Sequence, residues 1–319
     1  MEALYGRALL EWPLVFASVA TFGTATFVIA VRGVAGCSTA SSGAAILPAW
    51  RVMAMVIFLL SPIRLFELTA EMSGVPWREA SPFVPAVMTQ THSGEVWRWS
   101  LIVAALLVVC AFARLPSTAR AVGLVGLSTV LMFCEAQLSH AVDHGGMAVL
   151  IYLIHETAAG SWIGALLGLW LVARRGQPSP DWVTRAARMV STIAAWSVAA
   201  LVLSGAYTAY RGLGLSIDRL LYSSYGRTLV VKVVMFCAVL SIGAYNRERL
   251  IPDVAAPGTQ RILLRNVGIE SLLLGIVVVG LAALLSNTPP AGGHMMSHPG
   301  MAMDTLYSPA TGIFRAPTE

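Results

Sequence analysis

Apolar runs of about 20 residues recur from one end of this 319-residue chain to the other. Each is long enough to cross a bilayer core of roughly 30 Å as a helix. Lipid offers the backbone no hydrogen bonds, so runs this long and this apolar imply helices rather than barrel strands. Eight spans are expected, near 12–31, 46–70, 95–113, 118–140, 147–173, 184–210, 225–249 and 263–286. The predicted fold class is all-α: a polytopic transmembrane domain over residues 1–290, followed by a flexible tail over 291–319. Charged residues make up 12% of the chain, against roughly 25% in soluble domains. In such a chain a pI of about 9.3 does not point to nucleic acid. Its expected surroundings are a lipid bilayer, with basic residues marking cytoplasmic loops.

The first span could be taken for a signal peptide, but its apolar run, Trp12 to Val31, exceeds an h-region of about 7–15 residues. Val34-Ala35-Gly36-Cys37 has the look of a lipoprotein cleavage box, yet Arg32 interrupts the approach to it. The segment is read as a retained helix. The four cysteines form no CxxC pair and read as small hydrophobes. There is no P-loop, nucleophile elbow or zincin helix, so an enzyme is not expected.

Orientation follows from Arg and Lys. With the amino terminus outside, Arg32 and Arg51, Arg114 and Arg120, Arg174, Arg175, Arg185 and Arg188, and Arg247, Arg249, Arg261 and Arg265 fall on the inner side. The short turn between the fourth and fifth spans, which would be outside, carries no Arg or Lys at all. Both termini are therefore expected outside, in the periplasm of a bacterial inner membrane. All six histidines then fall on the outer side or in the outer half of the bundle: His92, His140, His144, His155, His294 and His298.

Ionisable side chains at membrane depth are costly and stand by default as functional candidates. The hairpin from Glu135 to Gly168 gathers three histidines around its turn. His140 and His144 are spaced i, i+4, with Asp143 adding a carboxylate, and could equally belong to an ordinary polar turn. His155 lies deeper, on the face of Trp162, with Glu156 beside it. Gly160, Gly164 and Gly168 mark a different face, suited to close helix contact. Glu135 lies at a depth closer to that of His155 than of His140 and could orient the imidazole as a carboxylate partner; alternatively, tilted helix ends would let His140 and His155 hold one ion. Lys232, the only lysine, and Glu270 sit inside the seventh and eighth spans, and Arg64 with Glu67 forms an i, i+3 pair in the second.

The tail holds His294, Met295, Met296, His298, Met301 and Met303 within ten residues. Thioether and imidazole ligands suit Cu(I), and imidazole suits Cu(II), so the expected ligand is a copper ion. The alternative is a disordered tail whose methionines have no role.

These residues resemble the bacterial copper-resistance D (CopD) family of membrane proteins. The likeness runs from about Ser139 to Pro290 within a core near 118–290. It rests on Ser139-His140-Ala141, His155 with Trp162-Ile163-Gly164, Ser204-Gly205-Ala206-Tyr207, Tyr225-Gly226-Arg227-Thr228-Leu229 with Lys232, Asn246-Arg247, and Glu270 with Thr288-Pro289-Pro290. Ser139 and Ser204 stand where the family usually has Gly and often Thr. The resemblance implies an inner-membrane protein that moves copper inward from a periplasmic CopC-like chaperone. His140 and His155 would form the site where copper first binds, and the tail would capture the metal. The competing expectations are a haem-binding electron carrier, in which histidines on neighbouring helices are axial ligands, and a copper relay that does not transport.

Overall fold

The computed structural model describes residues 2–139, 142, 145–254, 256–286 and 288, with two short paired strands at Tyr307–Ser308 and Ile313–Phe314. The protein is an all-α polytopic membrane protein. Among the described residues, eight helical segments are long and apolar enough to cross a bilayer: Arg7–Gly33, Thr39–Ser73, His92–Phe112, Ser117–Leu138, Gly146–Arg175, Pro180–Leu213, Ser224–Leu250 and Gly258–Ser286. They are called the first to eighth spans below.

Each expected span is found, and most run a few residues beyond their apolar stretch because capping residues sit outside it. Ser38, Thr91, Ser179 and Ser223 each accept a backbone N–H of the first helical turn, satisfying a donor that the helix cannot. Pro180 occupies the first helical position, where its missing N–H costs nothing. The second span stops at Gly74, whose φ of 69° is open to glycine at no steric cost. The polar stretch after it folds into two short turns and a helix, Val84–Gln90, before the third span begins.

The first span is the hub, packing against the second, fourth, fifth and eighth. Of its most apolar stretch 67% is buried inside the bundle, against 6% for the seventh span, whose sides face lipid. Its closest partner is the fifth span, which runs parallel to it. A Cβ on Gly23 would run into the carbonyl of Gly160, one on Gly164 into the backbone of Gly23, and one on Gly168 into Phe27. The expected glycine face of the fifth span therefore exists, and its partner is the first span. Small residues let backbones approach so that van der Waals contact holds the pair, in a solvent where hydrophobicity does not separate helix from lipid.

The loops at one end of the bundle carry the arginines named above. There Arg185 donates to the Ala35 carbonyl (2.8 Å) and Ser179 N–H to the Gly36 carbonyl (3.2 Å), tying the loop after the first span to the start of the sixth span and the loop before it. At the opposite end Arg7 meets Glu71 (2.9 Å) and Ser286 donates to Glu11 (2.7 Å). All four cysteines carry free thiols.

Candidate functional site

The parallel packing of the first and fifth spans sets the level of the interior polar groups. With Gly23 pressed on Gly160 and Gly164, Ser18 and Glu11 fall near the levels of Glu156 and Tyr152, at 1.5 Å per residue. One cluster results, in the half of the bundle away from the arginine-rich end.

His155 reaches across to the sixth span, where its Nδ1 lies 2.9 Å from Ser204 Oγ. The same hydroxyl donates to the Ala200 carbonyl at 2.6 Å, which uses its only proton. The imidazole must then be the donor to Ser204. That fixes the proton on Nδ1 and leaves the Nε2 lone pair for a ligand, the arrangement found where a histidine binds a metal. From sequence, Glu135 is one candidate for the role of orienting the ring. Ser204 performs it, because the sixth span packs on the fifth at this level, whereas Glu135 Oε1 is held by the Ser18 hydroxyl at 3.0 Å.

Glu135 of the fourth span and Glu156 of the fifth face each other, within reach of charge interaction and side-chain hydrogen bonding. Tyr152 adjoins Glu156, Glu11 of the first span adds its charge to both, and Lys232 of the seventh span acts on Glu156 and His155. Arg64 closes the outer edge, pairing with Glu67 at 2.6 Å and Glu11 at 3.6 Å. The i, i+3 pair expected within the second span is thus present, extended to the first. Four carboxylates here meet two cations. Moreover, among the described residues Glu135 Oε2 and Glu156 Oε2 are buried and accept from no donor other than a proton the two carboxyl groups share. A buried acceptor left unsatisfied is costly, and either a shared proton or a bound cation would satisfy both at once.

Glu270 and Trp162 belong to a second group, further toward the arginine-rich end. Trp162 Nε1 donates to Glu270 Oε1 (3.2 Å), Asn246 Nδ2 to Glu270 Oε2 (3.2 Å), and Asn266 Nδ2 to Asn246 Oδ1 (2.9 Å). Trp162 also stands edge-on to Phe236, ring centroids 5.7 Å apart. His155 and Trp162, placed on one face by the sequence, therefore serve different groups. Lys232 and Glu270 likewise answer different partners.

His92 begins the third span and is exposed. His140, Asp143, His144 and the tail ligands His294, Met295, Met296, His298, Met301 and Met303 lie outside the described residues. Among the described residues no three His, Cys, Asp or Glu side chains form a closed metal cage. Sequence reasoning passed over Ser18, Tyr152 and Glu11. The one signal for Ser18 and Glu11 was their spacing of seven on the first span, which puts them on one helical face.

Fold and site together define a polytopic helical membrane protein that keeps imidazole, carboxylate and amine groups in its interior. The chain belongs to the copper-resistance D family: the model for copper resistance protein D matches residues 184–285, and that for the copper resistance protein D-like N-terminal domain matches 1–151. The likeness thus includes the first three spans, which carry none of the motifs legible in the second half. The chain is 26% identical to copper resistance protein D of Pseudomonas syringae pv. tomato, over 76% of this chain and 84% of that one. It is 26% identical to copper transport protein CutJ of Bacillus subtilis, over 60% of this chain but only 37% of that longer protein. Inner membrane protein YebZ of Escherichia coli is 24% identical over 64% of this chain and 73% of its own length. No solved structure matches the chain.

Proposed function

We propose that this protein carries copper across a bacterial inner membrane, from the periplasm toward the cytoplasm, without covalent chemistry of its own. One observation carries the reading. In a chain of the copper-resistance D family, the bundle interior holds His155, whose Nδ1 is bonded to Ser204, and at a nearby level the facing carboxyl groups of Glu135 and Glu156. Imidazole with carboxylate is a donor set copper accepts, and the excess of acidic groups favours a cation there. The Bacillus subtilis relative is named a copper transport protein, and the Escherichia coli relative an inner membrane protein.

The positive-inside rule places the arginine-rich end in the cytoplasm and both termini in the periplasm. The tail residues His294 to Met303, with His92, His140 and His144, would then take copper from the periplasm or from a CopC-like chaperone. His155 would be the first station inside the bundle. An open set of ligands suits transit, since a conducting site must bind well enough to admit the ion and weakly enough to release it. The test is copper uptake into right-side-out and inverted membrane vesicles. Uptake by right-side-out vesicles above an empty-vector control supports the proposal; accumulation only in inverted vesicles reverses its direction, and none in either sinks it.

A further inference from the structure

Between the fifth, sixth, seventh and eighth spans lies a cavity of about 280 Å³, lined among others by Trp162, Leu166, Val190, Ala194, Asn246 and Glu270. It occupies the half of the bundle nearer the arginines: Trp162 is 12 residues before Arg174, about 18 Å of helix. The sixth and seventh spans barely touch beside it. Its walls are mostly apolar, and at the Trp162 end they stop at a carboxylate.

That carboxylate is in an unusual position for a membrane interior. Glu270 is 2% exposed. Both its oxygens accept from neutral donors, the Trp162 indole and the Asn246 amide. Asn266, donating to Asn246, polarises the amide toward the carboxylate. Among the described residues no lysine or arginine pairs with it. Arg247, which also lines the cavity, donates instead to the Ser191 carbonyl at 3.4 Å. Two neutral donors thus satisfy the Glu270 oxygens, but among the described residues no positive partner compensates a charge there, and an unpaired buried charge is strongly unfavourable.

Two further features keep space and ligands at this point. Gly243 leaves open the side of Glu270 Oε1, where a Cβ would lie at 3.2 Å. Both helices depart from α geometry here: the seventh span is π-helical over Asn246–Leu250, and the eighth over Leu273–Val278, three residues after Glu270. π turns are rare and concentrate at functional sites.

Resting on the reading of the protein as a copper carrier, we infer that Glu270, with Asn246, is a second cation station, on the far side of Trp162 from His155, from which copper leaves through this cavity. Six residues separate Glu156 from Trp162, about 9 Å along the axis. The Trp162 indole, 2% exposed and braced on Phe236, is the partition between the stations. One carboxylate, positioned by the Trp162 and Asn246 donors, holds a cation loosely, as release requires.

The test uses the purified full chain titrated with chelator-buffered Cu(I) and, separately, with Cu(II). Glu270→Gln should remove one bound ion relative to wild type, and His155→Ala with Glu156→Gln should remove a different one, so that the losses add. Gly243→Ala keeps every charge and crowds the space beside Oε1; it should weaken the Glu270-dependent ion about tenfold while leaving the other unchanged. It also guards against a Glu270→Gln protein that fails to fold. Unchanged stoichiometry and affinity in both variants would overturn the inner station. Vesicle uptake separates this claim from the broader one. Copper bound at Glu270 with no uptake by wild type rejects the carrier and keeps the site. Uptake unaffected by Glu270→Gln rejects the station and keeps the carrier.

Discussion

His155 and Ser204 join the fifth and sixth spans through a 2.9 Å hydrogen bond, and the Ser204 hydroxyl donates its own hydrogen bond to the Ala200 carbonyl. This pair decides which imidazole nitrogen is available. Ser204→Ala removes the acceptor, frees the ring to turn and lets the proton move to Nε2. Partners of this kind are worth about 10- to 100-fold in metal affinity, and a loss of that size is expected for copper in a competition titration. Ser204→Thr keeps the hydroxyl and should stay near wild type.

Lys232 bears on Glu156 and His155 from the seventh span. Its ammonium repels a cation bound at that level. Lys232→Met should therefore raise copper affinity several-fold while slowing turnover, because an ion held more tightly leaves more slowly. Equilibrium binding and initial uptake rates, measured on the same protein, would move in opposite directions. A joint fall would mean that Lys232 only supports the fold.

The contact between the first and fifth spans should be the least forgiving in the bundle. Gly23→Ala drives a methyl group into the Gly160 carbonyl, where backbone cannot give way. Overpacking of this kind costs about 1–3 kcal/mol or more, so a clear fall in melting temperature in detergent is expected. Gly126→Ala, with nothing within 4 Å, should melt as wild type.

How far the sequence carries the reader differs between fold and site. Eight helices were legible because length and apolarity alone permit a segment to span lipid, and the caps explain the extra residues at their ends. The glycine face on the fifth span was legible too, from spacing. Its partner was not, since protein-facing and lipid-facing sides of a membrane helix are about equally apolar and hydropathy does not rank the first span above the seventh. The same blindness hid the site's composition. His155, Glu156, Glu135 and Lys232 stood out as charges at depth, but which neighbours they meet depends on helix rotation. Ser204, a common helix residue that bonds back to its own carbonyl ladder, gives no sign that it also fixes an imidazole. Ser18 and Glu11 count only because the first span is central.

The tail stands apart from the interior stations, and so should its effect. Truncation after Pro290 removes His294, Met295, Met296, His298, Met301 and Met303. Copper capture at low concentration should weaken, with a several-fold rise in the concentration giving half-maximal uptake. The maximal rate should remain, because His155, Glu135 and Glu156 are untouched.

The most direct test is copper uptake by right-side-out vesicles carrying wild type or His155→Ala at matched protein levels, with the intact tail in both. The account predicts that His155→Ala reduces uptake to the level of vesicles lacking the protein while the tail still binds copper. Uptake at the wild-type rate by His155→Ala would contradict it.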